Sequence, residues 1–335
     1  MTIRLVSTAY ALPPDVVDVR DVMSEERSRV TAALNPLSEN RRKRIIENMG
    51  IDRVHVCGRK QPYDLAIESA SVAISDGGIS PAEIDLIIDF VTLPGKDGQY
   101  LSFAQKISRD LGAEHSLNLS YRVGGCAGLH MAIKNALALM EADAGLKTAL
   151  LVTADSAPFG SRTLMPIAIQ GDAGSAAILV KDGQHGPSLL AAEVLTLSHL
   201  YDAITVSRGS NGFESLSLNV DSVRIESEVM PIYYLNFLRL ITKALEKAEL
   251  KISDVDHFIY SNISQTDRDG FIKALRLPVE TVAPSRVSDL GHTFASDLII
   301  NYTDLCRKHQ ITPGQYLLFA SAGIGFTWGV TIAGA

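Results

Sequence analysis

Cys126 lies in the run Gly124-Gly125-Cys126-Ala127-Gly128, which ends a short polar stretch and opens an apolar helix. Ahead of it Ser116–Ser120 alternates as a strand does. Behind it Leu129, Ala132, Ile133, Ala136, Leu137 and Met140 recur at helical spacing. The cysteine therefore falls at a strand-to-helix turn, at the N-terminal end of a buried helix. Unpaired N–H groups and the helix dipole stabilise an anion there. A thiolate so placed is a nucleophile near neutral pH, and the glycines allow a thioester to approach the backbone closely. From this segment alone, a structural cysteine in a tight turn is the competing reading, because free cysteine is often simply buried.

Other segments carry groups that such a nucleophile would use. Gly291-His292-Thr293 stands just ahead of a helix-like run, Phe294–Lys308. A histidine at a loop-to-helix junction can pair with a thiolate and shuttle protons; a lone histidine is equally a packed or surface residue. Asp297, five positions after His292, and Asp289, three before it, are the nearby carboxylates that would orient the imidazole; solvated aspartates are the ordinary alternative. Ser321-Ala322-Gly323-Ile324-Gly325 joins two apolar strands. Its amides would donate to an oxyanion, although alone it reads as a hairpin turn. Gly171-Asp172-Ala173-Gly174-Ser175 lacks the spacing of a phosphate loop and a helix after it. It reads as a tight structural turn.

The elements that must position these groups alternate between strand and helix. Ile3–Ala9 is strand-like and ends at Pro13-Pro14; Arg41–Asn48 is helical up to Gly50; Tyr63–Ile74 is a helix closed by Gly77-Gly78. Ile84–Thr92, Lys147–Ala154 and Gly174–Val180 are apolar runs of the kind that form strands covered on both faces. Leu101–Leu111 is a helix between them. In the second half Leu189–Thr196 and Asp256–Ser261 are strands, Val229–Leu250 a long helix with Pro231 in its first turn, Thr293–Lys308 a helix, and Tyr316–Ser321 and Phe326–Ala333 the last strands. The same order recurs in both halves, which points to an internal duplication with its boundary in Lys181–Pro187. The expected units are 1–183, carrying the cysteine, and 184–335, carrying the histidine and the glycine loop. The alternation predicts a layered α/β architecture.

Composition narrows the function classes. The chain has 335 residues, 46% hydrophobic and 21% charged, with net charge −7. The densest basic run, Arg41-Arg42-Lys43-Arg44, is a solvated helix face or a dock for an acidic partner. No basic block suggests nucleic acid, no apolar run reaches membrane-span length, and Met1-Thr2-Ile3-Arg4 leads straight into a strand without a signal sequence. Cys57, Cys126 and Cys306 are far apart and lack metal spacing. A cytoplasmic protein without metal is expected.

Taken in order, GGCAGLHMAI, GDAGSAAILV, GHTFASDL and SAGIGFTWG, with Asn48–Arg53 near the start, resemble the β-ketoacyl-acyl-carrier-protein synthase III group of the thiolase superfamily over nearly the whole chain. Phe326-Thr327-Trp328-Gly329 is the most specific of these. The resemblance implies a thiolase-like five-layered αβαβα fold made of two duplicated halves, usually dimeric. It also implies an acyl-thioester on Cys126 and an oxyanion hole from the Cys126 amide and the Gly323-Ile324-Gly325 loop. It implies no cofactor beyond the acyl-CoA or acyl-carrier-protein thioester that serves as substrate.

The departures from the family pattern bear on the reaction. Condensing members place a histidine in a His-x-x-Asn segment, here Ser261-Asn262-Ile263-Ser264, and an asparagine in Gly-Asn-Thr-Ser, here Gly291-His292-Thr293-Phe294. Those two side chains donate to the malonyl thioester oxygen, and losing one donor from such a hole costs on the order of 100-fold. Ser261 and His292 in exchanged places put decarboxylative condensation in doubt. Acyl transfer asks only for a thiolate, a base and one oxyanion hole. Cys126, His292 and the backbone amides supply these, with Asp297 and Ser261 in supporting places. His199 is a further candidate base, because some acyl-transferring relatives place a histidine in this part of the fold. The aromatic residue on which coenzyme A stacks in the family's N-terminal helices has no tryptophan counterpart, since Trp328 is the only one. The charged segment Val19–Asn48 favours an acyl carrier protein as donor or acceptor. The leading expectation is an acyltransferase: the exchanged positions favour transfer without decarboxylation to a small-molecule or carrier-bound nucleophile, in secondary metabolism. The alternatives are a carbon–carbon-bond-forming 3-oxoacyl synthase and a non-catalytic subunit of a heterodimer, against which the retained Cys126 argues. A homodimer is the expected assembly.

Overall fold

The computed structural model describes the whole chain except residues 1, 35–37, 59, 94–102, 123, 159 and 210–211; side chains at 29, 32, 33, 41, 42, 206–218 and 222 are likewise undescribed. The first half contributes strands β1 (Ile3–Ala11), β2 (Leu86–Asp89), β3 (Leu117–Ser120), β4 (Thr148–Asp155) and β5 (Ala173–Lys181). The second contributes β6 (Ser188–Thr196), β7 (Val255–Tyr260), β8 (Tyr316–Gly323) and β9 (Thr327–Gly334). They join in one sheet ordered β7-β8-β9-β6-β1-β5-β4-β2-β3. The β2 pairings with β3 and β4 are parallel, as is β7 with β8; β4–β5, β5–β1, β6–β9 and β8–β9 are antiparallel. Between the halves the strand ladder is a single antiparallel pairing, Arg4 with Ser188.

The apolar runs read as doubly covered strands are so because helices lie on both faces; β4 is buried at every position. Helices α1 (Pro62–Asp76) and α2 (Phe103–Leu111) cover the outer face of the first half, with Leu65, Ile74 and Ile107 against Leu150 and Ile178. Helices α3 (Gly128–Ala142) and, much later, α6 (Asp297–Arg307) fill the middle, where Leu129, Ile133 and Leu298 meet Ile88, Leu151 and Phe319 from the two halves. Helices α4 (Tyr233–Lys247) and α5 (Gln265–Leu275) cover the second half through Phe237, Ile241 and Phe271. The layers thus run α, β, α, β, α, with the two halves repeating one order of elements. The edge strand β3 has as its counterpart only the isolated parallel bridge between Phe258 and Val282.

Local chemistry sets several boundaries. Pro62 occupies the first turn of α1, where its missing N–H costs nothing, and Gln61 and Asp64 cap it reciprocally. The basic run lies on a helix, Glu39–Met49, closed by Gly50 in the left-handed region. Two expected helices begin later than their sequences indicated. The Val229–Leu250 expectation breaks into a π turn over Ile225–Val229 and a 3-10 turn over Met230–Ile232 containing Pro231, before α4 starts at Tyr233. The Thr293–Lys308 helix begins only at Asp297, after a 3-10 turn at Phe294–Ser296. The strand read over Ile84–Thr92 narrows to Leu86–Asp89. Among the described residues no helix is long and apolar enough to cross a membrane.

Candidate active site

The two central helices bring the site together. Cys126 sits in the 3-10 turn Gly125–Ala127 that runs into α3, and His292 precedes the start of α6 in the other half. Their side chains meet at 3.0 Å between Cys126 Sγ and His292 Nε2. The other ring nitrogen, Nδ1, lies 2.6 Å from Asp297 Oδ2. All three residues are buried.

Asp297 is held by more than the imidazole. Its Oδ1 accepts from the N–H and hydroxyl of Thr293 at 2.7 and 2.6 Å, and its Oδ2 accepts from the N–H of Asn262 at 2.6 Å. Charge-assisted bonds of this length hold the carboxylate in place and put a proton on His292 Nδ1. Burial opposes charge on the His292 ring, but the facing Cys126 sulfur and the Asp297 carboxylate outweigh it and raise its pKa well above the ordinary value. Phe294, fully buried, packs its ring 5.8 Å from that of His292 and has φ 56, a costly backbone conformation for a bulky residue.

The glycine loop comes up against the cysteine turn. Ser321 Oγ donates to Cys126 O at 3.1 Å. A Cβ on Gly323 would stand 2.1 Å from Gly124 O and 2.5 Å from Cys126 N, so the close approach requires glycine there. Gly323 and Ile324 line the cavity beside Cys126; Gly325 belongs to the turn between β8 and β9 and is not among the lining residues. His292 is clamped by its own backbone, its N–H donating to Ile169 O at 2.9 Å and its carbonyl accepting from Gly171 N at 3.0 Å. The turn at Gly171 is structural as expected. Asp172 pairs with both Arg162 Nη atoms at 2.7 and 2.8 Å and accepts from the N–H of Cys57 and of Ala157.

Not every residue singled out in the sequence joins the site. Asp289 does not orient His292; it pairs with Arg286 at 2.6 Å. His199 lies exposed on a 3-10 turn and is not among the lining residues. Ser261 is buried, with no hydrogen-bond partner for its hydroxyl among the described residues, just past the end of β7. Among the described residues no cluster of His, Cys, Asp or Glu is placed to hold a metal.

A cavity of about 560 Å³ opens onto Cys126 and His292. Its walls are mostly apolar, among them Leu164, Ile167, Val229 and Phe326. Trp328 lines it too, far in sequence from the N-terminal helices in which a coenzyme A-stacking aromatic residue was sought. Leu164 and Pro166, from the segment between β4 and β5, and Ile204, beyond β6, also line it. Two polar residues of the cavity carried no recognisable sequence signal. Gln170 is fully buried and bridges to His292. Asp267 accepts from the hydroxyl of Tyr260 at 2.7 Å and of Tyr234 at 3.3 Å, and burial pushes its carboxyl up to about 6.

Residues 245–334 match the family model for the C-terminal region of 3-oxoacyl-[acyl-carrier-protein] synthase III. The chain is 25% identical over 296 residues to the β-ketoacyl-[acyl-carrier-protein] synthase III of Erythrobacter litoralis, covering 86% of this chain and 89% of that protein. In fold it is similar to the crystal structure of 3-oxoacyl-[acyl-carrier-protein] synthase III from Aquifex aeolicus, with TM-score 0.81, 18% identity and coverage of 99% and 100%. It is similar in the same measure to the acyltransferase ChlB3, with TM-score 0.81, 20% identity and coverage of 100% and 98%.

Proposed function

We propose, from the premise that the chain is a synthase III-like protein of the thiolase superfamily, that it is an acyltransferase working through an acyl-thioester on Cys126. The observation that carries this reading is the buried line Cys126–His292–Asp297, with contacts of 3.0 and 2.6 Å. In the first step the Cys126 sulfur attacks the carbonyl of a donor thioester. The C–S bond to the donor breaks, and the departing thiolate takes a proton from His292. In the second step an acceptor hydroxyl, amine or thiol loses its proton to His292 as it attacks the acyl carbon, and the bond to Cys126 Sγ breaks. Asp297 stabilises the imidazolium and keeps Nε2 directed at the sulfur. Amides of Cys126 and the Gly323–Gly325 loop are the proposed donors to the oxyanion, Gly325 on the weaker geometric ground.

Transfer without decarboxylation is favoured because the single imidazole is already committed to Cys126 and Asp297, and Ser261, in the place of the condensing histidine, is not among the lining residues. An acyl carrier protein is the favoured donor. The helix Glu39–Met49 lines the cavity with Ile45 and Met49 while Lys43 and Arg44 face solvent, so a basic surface borders the opening. The reading includes a dimer, a small-molecule or carrier-bound acceptor, a place in secondary metabolism and a reducing cytoplasm suited to three cysteines without a disulfide.

Intact-protein mass spectrometry after incubation with acyl-CoA and acyl-carrier thioesters, followed by peptide mapping, tests it. A mass increase confined to Cys126 is expected, and absent from Cys126→Ala. Release of carbon dioxide and a ketone product from a malonyl thioester would replace transfer with condensation. No adduct from any donor would leave the non-catalytic subunit.

A further inference from the structure

Gln170 has 0% exposure, yet it lines the same cavity as Cys126 and His292. Its backbone is fixed by Arg162, whose carbonyl accepts the Gln170 N–H at 2.9 Å and whose Nη1 donates to the Gln170 carbonyl at 3.2 Å. Gln170 forms a parallel bridge with His292. Residues paired across a bridge share a face, because side chains alternate along an extended strand. The glutamine amide and the imidazole are therefore neighbours on the cavity wall.

Neither Nε2 nor Oε1 of Gln170 has a hydrogen-bond partner among the described residues. Buried amides left unpaired at both ends are rare in folded proteins. One that borders a cavity next to a nucleophile and its base is satisfied by what enters the cavity. Its depth decides which part of a substrate that is. The residues that line the cavity and also face solvent are Asn48, Glu226, Met230 and Thr266, whereas Leu164, Ala168 and Gln170 line it and are buried. An acceptor or a carrier arm arrives through the exposed side. The group left to meet the buried lining is the acyl chain attached to Cys126.

We propose that Gln170 determines acyl specificity by hydrogen-bonding a neutral polar group on the acyl chain, so that the enzyme loads a hydroxyacyl or carboxamide-bearing acyl group in preference to a plain hydrocarbon chain. The proposal rests on the acyl-enzyme reading of Cys126. The glutamine offers N–H donors and a carbonyl acceptor, and a hydroxyl or carboxamide answers both. A carboxylate would answer only the donors and set an anionic oxygen near Oε1. A hydrocarbon would leave both ends unpaired, which is how sites built to bind a hydroxyl reject its alkyl analogue.

The experiment measures the initial rate of Cys126 acylation by intact mass. The donors are 2-, 3- and 4-hydroxyacyl-CoA thioesters and one terminal carboxamide, each beside the acyl-CoA carrying methyl at that position. Wild type should prefer at least one polar member over its methyl partner by roughly 10- to 100-fold. Gln170→Met, close to isosteric and apolar, should bring that ratio to about one by slowing the polar donor and speeding the methyl one, at an unchanged melting temperature. Acylation of wild type with every ratio near one would overturn the proposal and leave the acyl-enzyme intact, as would a ratio that survives in folded Gln170→Met. No Cys126 adduct from any donor would overturn both.

Discussion

Asp297→Asn tests the proposed triad at its least replaceable point. The carboxylate accepts four hydrogen bonds, two on each oxygen, from Thr293 N, Thr293 Oγ1, Asn262 N and His292 Nδ1. An asparagine of the same shape has one acceptor oxygen and an NH₂ group. If the oxygen keeps the Thr293 pair, the NH₂ meets the Asn262 N–H and the imidazole. His292 must then accept at Nδ1 and carry its proton on Nε2, aimed at the sulfur it should deprotonate. If the amide flips, Thr293 loses its partners instead. Either way one or two buried donors go unsatisfied at about 1–3 kcal/mol each, so a stability loss of roughly 1–6 kcal/mol is expected. The chemical effect is larger. In the first orientation the wrong tautomer, with loss of the charge facing the imidazolium, is worth on the order of 10³–10⁴ in acylation rate. Rapid-quench acylation with a small acyl-CoA, followed by intact mass, reads the rate, and chemical denaturation reads the stability. Asp297→Asn that stays folded and acylates within threefold of wild type would refute the assigned role.

Three further outcomes follow from the same geometry. His292→Ala should slow turnover by roughly 10²–10⁴-fold while changing stability far less; near-normal turnover in a steady-state assay removes it from the mechanism. Reversing the charge of Arg41–Arg44 should weaken acylation from an acyl carrier protein and spare acylation from a small thioester, measured side by side; equal loss on both sinks the docking surface. Asp267, with its carboxyl raised to about 6 by burial, favours the fold when protonated. That contribution is complete below the ordinary carboxylate pKa of about 4 and is lost as pH rises through 6. Denaturation at pH 4 and pH 7 should show wild type losing stability relative to Asp267→Asn over this interval, and a pH-independent difference would show that Asp267 does not titrate there.

The turn at Cys126 was legible because two signals agree: an alternating strand before it and helical spacing after it. The repeated order of elements was legible from the uninterrupted apolar runs, since only strands covered on both faces need them. The partner of His292 was not decidable from spacing. Asp289 and Asp297 flank it at similar distances, and the choice depends on the chain between. The 3-10 turn at Phe294–Ser296, with Phe294 in the left-handed region, swings Asp297 back onto the ring, whereas Asp289 is taken by Arg286. His199 looked similar to His292 as an isolated histidine, and only the tertiary fold separates them. Gln170 and Asp267 were invisible because a single polar residue has no period; their meaning comes from a cavity assembled by both halves.

The placement of Cys126 and His292 at the heads of the two central helices has a consequence for how the molecule comes into being. The thiol belongs to the part of the chain made first, the imidazole to the part made last, and the strand ladder between the halves is one residue pair long. A nascent chain that has finished its first half carries the thiol without its proton acceptor. On the proposed mechanism the pairing of thiol and imidazole is completed only when the segment ahead of α6 folds against the first half.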